Sequence, residues 1–87
     1  MAKDYKKLGE SIVSKLGGKD NVSKLLHCAT RLRFTLKDKS KADLDGVKNI
    51  AGVMGAVSAP DGIQVIIGND VSKVYDAIMD EFHFVTD

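Results

Sequence analysis

The 87-residue chain is long enough for one small domain and too short for two. Its 13 basic and 12 acidic residues leave a net charge of +1, which excludes a protein that works chiefly by coating nucleic acid or anionic lipid. A single cysteine rules out an internal disulfide and points to a reducing compartment, and no apolar run approaches the roughly 18 residues of a membrane span, so the composition reads as a soluble globular domain.

In chain order, the apolar residues Tyr5, Leu8, Ile12, Val13 and Leu16 share one helical stripe, with Asp4 as N-cap, Lys15 in the last turn and Gly17-Gly18 as the stop. Asn21 to Cys28 has the length and flanks of a strand, though its alternation is imperfect. From Arg31 to Lys37 the alternation is clean. Leu32, Phe34 and Leu36 make an apolar face, and Arg31, Arg33, Thr35 and Lys37 make a wet one, so both arginines leave the sheet on the same side. Cys28-Ala29-Thr30 then becomes a hairpin turn, although it lacks the Gly or Asn-Gly that usually specifies one.

Asp38 to Lys41 is a polar connector. Ser40, with Asp43 three residues on, resembles a capping box for a short helix marked by Leu44, Val47 and Ile50. Gly46 weakens that helix by about 1 kcal/mol relative to Ala, and Gly52 ends it. Val53 to Ala59 reads as a strand, Pro60-Asp61-Gly62 as a turn, and Ile63 to Ile67 as a strand in which Gln64 alone is polar. Gly68-Asn69-Asp70 caps a third helix, whose buried face runs through Val71, Val74, Tyr75, Ile78, Met79 and Phe82. After Phe82 the pattern fades, as expected of a frayed tail or the start of a linker. The resulting α+β class has the order α-β-β-α-β-β-α. Two hairpins form a four-stranded antiparallel sheet, three helices cover one face, and the other face stays open.

The stretch His27-Cys28-Ala29-Thr30-Arg31-Leu32-Arg33 carries the chemistry. A thiol is nucleophilic as its thiolate, and neighbouring guanidinium groups lower its pKa. The same guanidiniums suit an oxyanion such as phosphate, with the Thr30 hydroxyl and the N–H groups of the turn as further donors. His27 is adjacent in sequence but points to the opposite face of its strand, which argues against a Cys-His hydrolase. One cysteine and two distant histidines make no metal site, there is no C-x-x-C redox pair, and Gly52-Val53-Met54-Gly55 lacks the Gly-Lys-Ser/Thr of a P-loop. No cofactor is implied. What remains is transfer of an anionic group through the Cys28 thiolate. The alternative is a non-enzymatic regulatory or RNA-binding module in which Cys28 is a small buried hydrophobe, but the aromatic residues that stack bases are missing from the open face.

The motifs Leu16-Gly17-Gly18 with Asn21, His27-Cys28-Ala29-Thr30-Arg31-Leu32-Arg33-Phe34, Gly52-Val53 and Gly62-Ile63-Gln64-Val65-Ile66-Ile67-Gly68 together resemble the IIB domain of sugar permeases of the phosphoenolpyruvate-dependent phosphotransferase system. The likeness is to the glucose/sucrose/β-glucoside group. Leu26-His27-Cys28 and Ala59-Pro60-Asp61-Gly62 tilt it towards the β-glucoside branch. The resemblance implies a phosphotransferase whose Cys28 takes a phosphoryl group from a phosphohistidine of a IIA domain and passes it to a sugar held by a membrane-embedded IIC domain. It implies phosphate binding by Arg31 and Arg33, with Thr30 a contributor and Gln64 a support. It further implies a IIB domain over residues 1–82, a tail or linker to IIC over 83–87, and a place on the cytoplasmic side of the cell membrane. The expected partners are IIA and IIC, not nucleic acid, with the isolated domain monomeric and the full permease dimeric.

Overall fold

The computed structural model describes residues 4–86, so the first three residues of the expected domain and the last of the expected tail lie outside the described residues. Helix α1 (Tyr5–Lys15) is followed by strands β1 (Val22–His27) and β2 (Arg31–Leu36), helix α2 (Leu44–Lys48), strands β3 (Gly55–Ala59) and β4 (Gly62–Ile66), and helix α3 (Val71–Phe82). All strand pairs are antiparallel, in the order β1-β2-β4-β3. The expected α-β-β-α-β-β-α order and sheet are therefore observed. Among the described residues no helix is long and apolar enough to cross a membrane.

Alternation along β2 decides which way the sheet faces. Leu32 and Phe34 are 0% and 2% exposed and lie in the core, while Arg31 and Arg33 leave on the other side. Burying a side chain of Leu size is worth about 2–3 kcal/mol, enough to hold this register against a one-residue slip that would turn the arginines inward. Opposite Leu32 and Phe34 on β4 stand Val65 and Ile63, also buried. Ile12 and Val13 of α1, Leu16 at its C-cap, Val47 of α2 and Val71, Val74 and Ile78 of α3 pack into the same core, with Val22, Leu25, Leu36 and Ile67 from the sheet and its ends.

The imperfect alternation of β1 has a physical cause. The pairing with β2 shifts register between Val22 and Lys24, so the two buried residues, Val22 and Leu25, stand three apart instead of two. A bulge of this kind inserts one residue and re-aims those after it. Asn21 anchors the strand's start. Although only 4% exposed, its amide donates to the carbonyls of Leu16 (2.8 Å) and Asp38 (2.9 Å) and accepts from the Asp38 N–H (2.9 Å). One buried polar side chain thus ties the end of α1 to the exit from β2, with its own hydrogen-bonding needs met.

Two local expectations change. Ser40 does not cap α2: it lies in a 3₁₀ turn (Lys39–Lys41), donating its N–H (3.0 Å) and hydroxyl (2.5 Å) to Asp38. Asp43 is the N-cap, accepting from the Gly46 N–H at 2.9 Å. Each carboxylate is a charged acceptor for the first N–H groups of its own turn, and this leaves the Ser40 hydroxyl no helix start to serve. Helix α2 is five residues long, as short as its Gly46 foretold. After Phe82 the apolar pattern does fade, yet the chain stays on the fold. The Val85 carbonyl accepts from the Leu25 N–H at the outer edge of β1 (2.8 Å), Phe84 stacks on Phe82, and the Tyr75 hydroxyl bonds Thr86 (2.5 Å). An edge strand presents unpaired N–H groups, and one backbone carbonyl suffices to cover one of them.

Candidate functional site

Cys28 stands just past the end of β1, exposed, in a turn with no glycine. Hydrogen bonds from elsewhere hold this turn. The Cys28 N–H donates to the Arg31 carbonyl (3.0 Å) and closes the hairpin. The Thr30 carbonyl accepts from both the Ile67 and the Gly68 N–H groups (2.9 Å each), which pins the turn to the end of β4. The thiol itself reaches the Arg31 carbonyl at 3.8 Å. Backbone hydrogen bonding at Thr30, then at Arg31, lowers the Cys28 pKa below the ordinary thiol value; a smaller desolvation opposes it, and the charges of Arg33 and Arg31 add still smaller lowering contributions. Among backbone groups only an N–H, a donor, lowers a thiol's pKa, so it is the N–H groups of the turn at Thr30 and Arg31 that favour the thiolate, in the manner of a small nest.

Arg31 and Arg33 lie on the open face, two residues apart on β2. Arg33 sits opposite Gln64 on β4 and opposite Leu26 on β1. Arg31 is one step nearer Cys28 and donates from Nη1 to Gln64 Oε1 at 3.0 Å, diagonally across the ladder. Gln64 thus keeps the Arg31 guanidinium over the sheet while its other donors stay available. Beyond Arg33, away from Cys28, the face forms a shallow groove of about 310 Å³ lined by Lys24, Leu26, Arg33, Thr35, Pro60 and Gln64. Of the two arginines, Arg33 lines the groove, and Arg31 lies between it and the Cys28 turn along β2.

The structure thus brings together Cys28, Thr30, Arg31, Arg33 and Gln64. In Thr30 the carbonyl oxygen carries the anchoring contacts. Sequence reasoning missed the N–H groups of Ile67 and Gly68. The available signal was Gly68 itself, whose positive φ of 99° turns the chain out of β4. Tyr75 of α3 was also missed. Its ring stands 4.4 Å from that of His27, on the helix-covered side of the sheet. His27 engages the Cys28 carbonyl, with Nδ1 3.1 Å from that oxygen, while the thiol's own hydrogen-bond contact is to the Arg31 carbonyl. A buried structural cysteine is not what the fold contains.

Residues 10–43 match the family model described as phosphotransferase system, EIIB. The chain is 49% identical over 76 residues to the β-glucoside-specific EIIBCA component of Bacillus subtilis, covering 87% of this chain and 12% of that protein. It is 46% identical over 79 residues to the arbutin-, cellobiose- and salicin-specific EIIBC component of Escherichia coli, covering 91% of this chain and 16% of that protein. The chain therefore spans well under a fifth of the length of these curated relatives. One domain of a phosphotransferase-system IIabc component from Clostridium difficile superposes with a TM-score of 0.87 at 30% identity, covering 95% of this chain and 86% of the other.

Proposed function

This chain belongs to the phosphotransferase system EIIB family, and from that premise we propose that it is a phosphoryl carrier working through Cys28 in sugar transport. The Cys28 thiolate attacks the phosphorus of a IIA phosphohistidine in line. The S–P bond forms as the P–N bond breaks, and the released imidazole nitrogen takes up a proton. A sugar hydroxyl presented by a membrane IIC domain then attacks the same phosphorus, the S–P bond breaks, and the thiolate is regenerated. The hydroxyl proton leaves to a base on the sugar-binding side. The chain acts as a protein-phosphocysteine–sugar phosphotransferase on the cytoplasmic face of a permease. A β-glucoside is the sugar that the names of two of the most similar relatives favour.

Such a transfer asks the protein for positioning and for stabilisation of charge on the phosphoryl oxygens. The observation that carries the reading is the exposed, pKa-lowered sulfur at the edge of an open face bearing two arginines. In this reading the N–H groups of the turn and the guanidiniums of Arg31 and Arg33 hold the phosphoryl oxygens, and Gln64 keeps Arg31 in place. Residues 1–82 form the transferring unit, and 83–87 begin the connection to the membrane domain. An exposed sulfur on an open face suits two partners that dock in turn and leave quickly.

Incubation with phosphorylated IIA is expected to place one phosphoryl group on Cys28 and none on Cys28→Ala; equal labelling of both proteins would overturn the assignment. Arg33→Lys is expected to fold normally and to accept the group roughly tenfold more slowly, because lysine keeps the charge and loses the two-pronged donor. A wild-type rate in single-turnover measurements would remove Arg33 from the mechanism.

A further inference from the structure

We propose that His27 is a positioning residue for Cys28, acting through the peptide plane that joins Cys28 to Ala29; the proposal rests on the phosphocysteine reading above. A carbonyl oxygen only accepts hydrogen bonds, so the 3.1 Å contact between His27 Nδ1 and the Cys28 carbonyl requires the proton on Nδ1. The Tyr75 ring, tilted by 53° at 4.4 Å, holds the imidazole in that orientation. The Tyr75 hydroxyl is itself tied to Thr86, so the support reaches back through α3 to the terminal segment.

The consequence follows from peptide planarity. Holding the Cys28 oxygen on one side fixes the Ala29 N–H on the other. At the far end of the turn, Ile67 and Gly68 hold the Thr30 oxygen and so fix the Arg31 N–H. The Thr30 N–H, whose peptide lies between these two planes, is held from both sides. It belongs to the residue whose backbone contributes most to favouring the thiolate. His27 is therefore one of two clamps on the nest, supplied from the helix-covered side of the sheet, while the arginines act from the open side. Besides the clamps, the charged groups acting on the sulfur are Arg33 and Arg31, and neither is altered by changing His27.

Three variants and one spectrum test this. His27→Phe keeps a ring against Tyr75 and loses the donor. His27→Asn keeps an N–H at the reach of Nδ1, and His27→Gln places its amide at the reach of Nε2. The pH profile of Cys28 alkylation by iodoacetamide is expected to move up by about half a unit in the Phe and Gln variants and to return close to wild type in Asn. Phosphoryl acceptance from IIA should fall about three- to tenfold and recover in the same pattern. An unmoved profile in His27→Phe, or equal shifts in all three variants, would overturn the proposal. Nitrogen-15 spectra of the wild-type ring need no variant to fold: neutral His27 should be the Nδ1–H tautomer, and the Nε2–H form would overturn the proposal. If IIA labels no form of the protein, the carrier reading fails, while the alkylation profile still reports on the clamp.

Discussion

The turn between β3 and β4 and the turn between β1 and β2 reverse the chain at opposite ends of the sheet by different means. At the first, Pro60-Asp61-Gly62 supplies a proline with preset φ and a glycine pressed against the neighbouring strand: a Cβ on Gly62 would run into the Phe34 carbonyl oxygen. At the second, Cys28-Ala29-Thr30 has no such residue, and its shape is held by the Arg31 carbonyl, His27, and the N–H groups of Ile67 and Gly68. A turn specified by its own residues has spent them on geometry. A turn held from outside leaves its side chains and N–H groups for chemistry, and this is the turn that carries the thiol. Breaking a local rule at a site is the expected pattern when tertiary contacts compensate.

Three changes separate the two designs. The largest effect is expected at the locally specified end. Gly62→Ala drives a methyl into backbone that cannot move without distorting the sheet, and should cost about 3 kcal/mol of stability, read from the urea midpoint at unchanged slope. A wild-type midpoint would mean that the close approach of β4 to β2 is not required. Gly68→Ala comes next. A non-glycine residue at this positive φ costs about 1–2 kcal/mol and loosens one clamp on Thr30, so a modest loss of stability should accompany slower alkylation of Cys28 near neutral pH. Destabilisation with unaltered thiol reactivity would show that the turn does not depend on β4.

The smallest effect is a pH dependence confined to the held turn. The folded Cys28 thiol titrates below its unfolded value. At pH below the folded pKa both states keep the proton and nothing is gained. Between the folded and unfolded values stability rises with pH, and above the unfolded value the gain is complete. Unfolding free energies from neutral to alkaline pH should show this rise in the wild type and lose it in Cys28→Ser. Parallel curves would mean that the nest does not favour the thiolate. The sulfur is exposed, so the gain is expected to be small.

Much of the fold was legible because the governing signals are local and periodic. The stripes of α1 and α3 and the strict alternation of β2 are set by which residues must leave water, and that requirement can be read without knowing the partner surface. The boundaries moved where another group competed. Asp43 took the cap expected of Ser40, and Ile67, read as strand, turns its N–H to Thr30. The bulge in β1 showed in the sequence only as imperfect alternation, because a two-residue period cannot place an inserted residue until the partner strand is there.

The sequence by itself determined the order of the elements, the side on which Arg31 and Arg33 emerge, and the residue able to form a thiolate. These follow from burial, from the two-residue period of a strand, and from there being one sulfhydryl in the chain. Only the tertiary structure decided how that sulfur is held. The N–H groups that clamp Thr30 lie 37 and 38 residues further along the chain, the acceptor for Arg31 is on another strand, and the ring behind His27 is on another helix. Contacts between segments far apart in sequence leave no periodic trace in either one; they exist because the packed core brings the segments together, and the turn takes its shape from them.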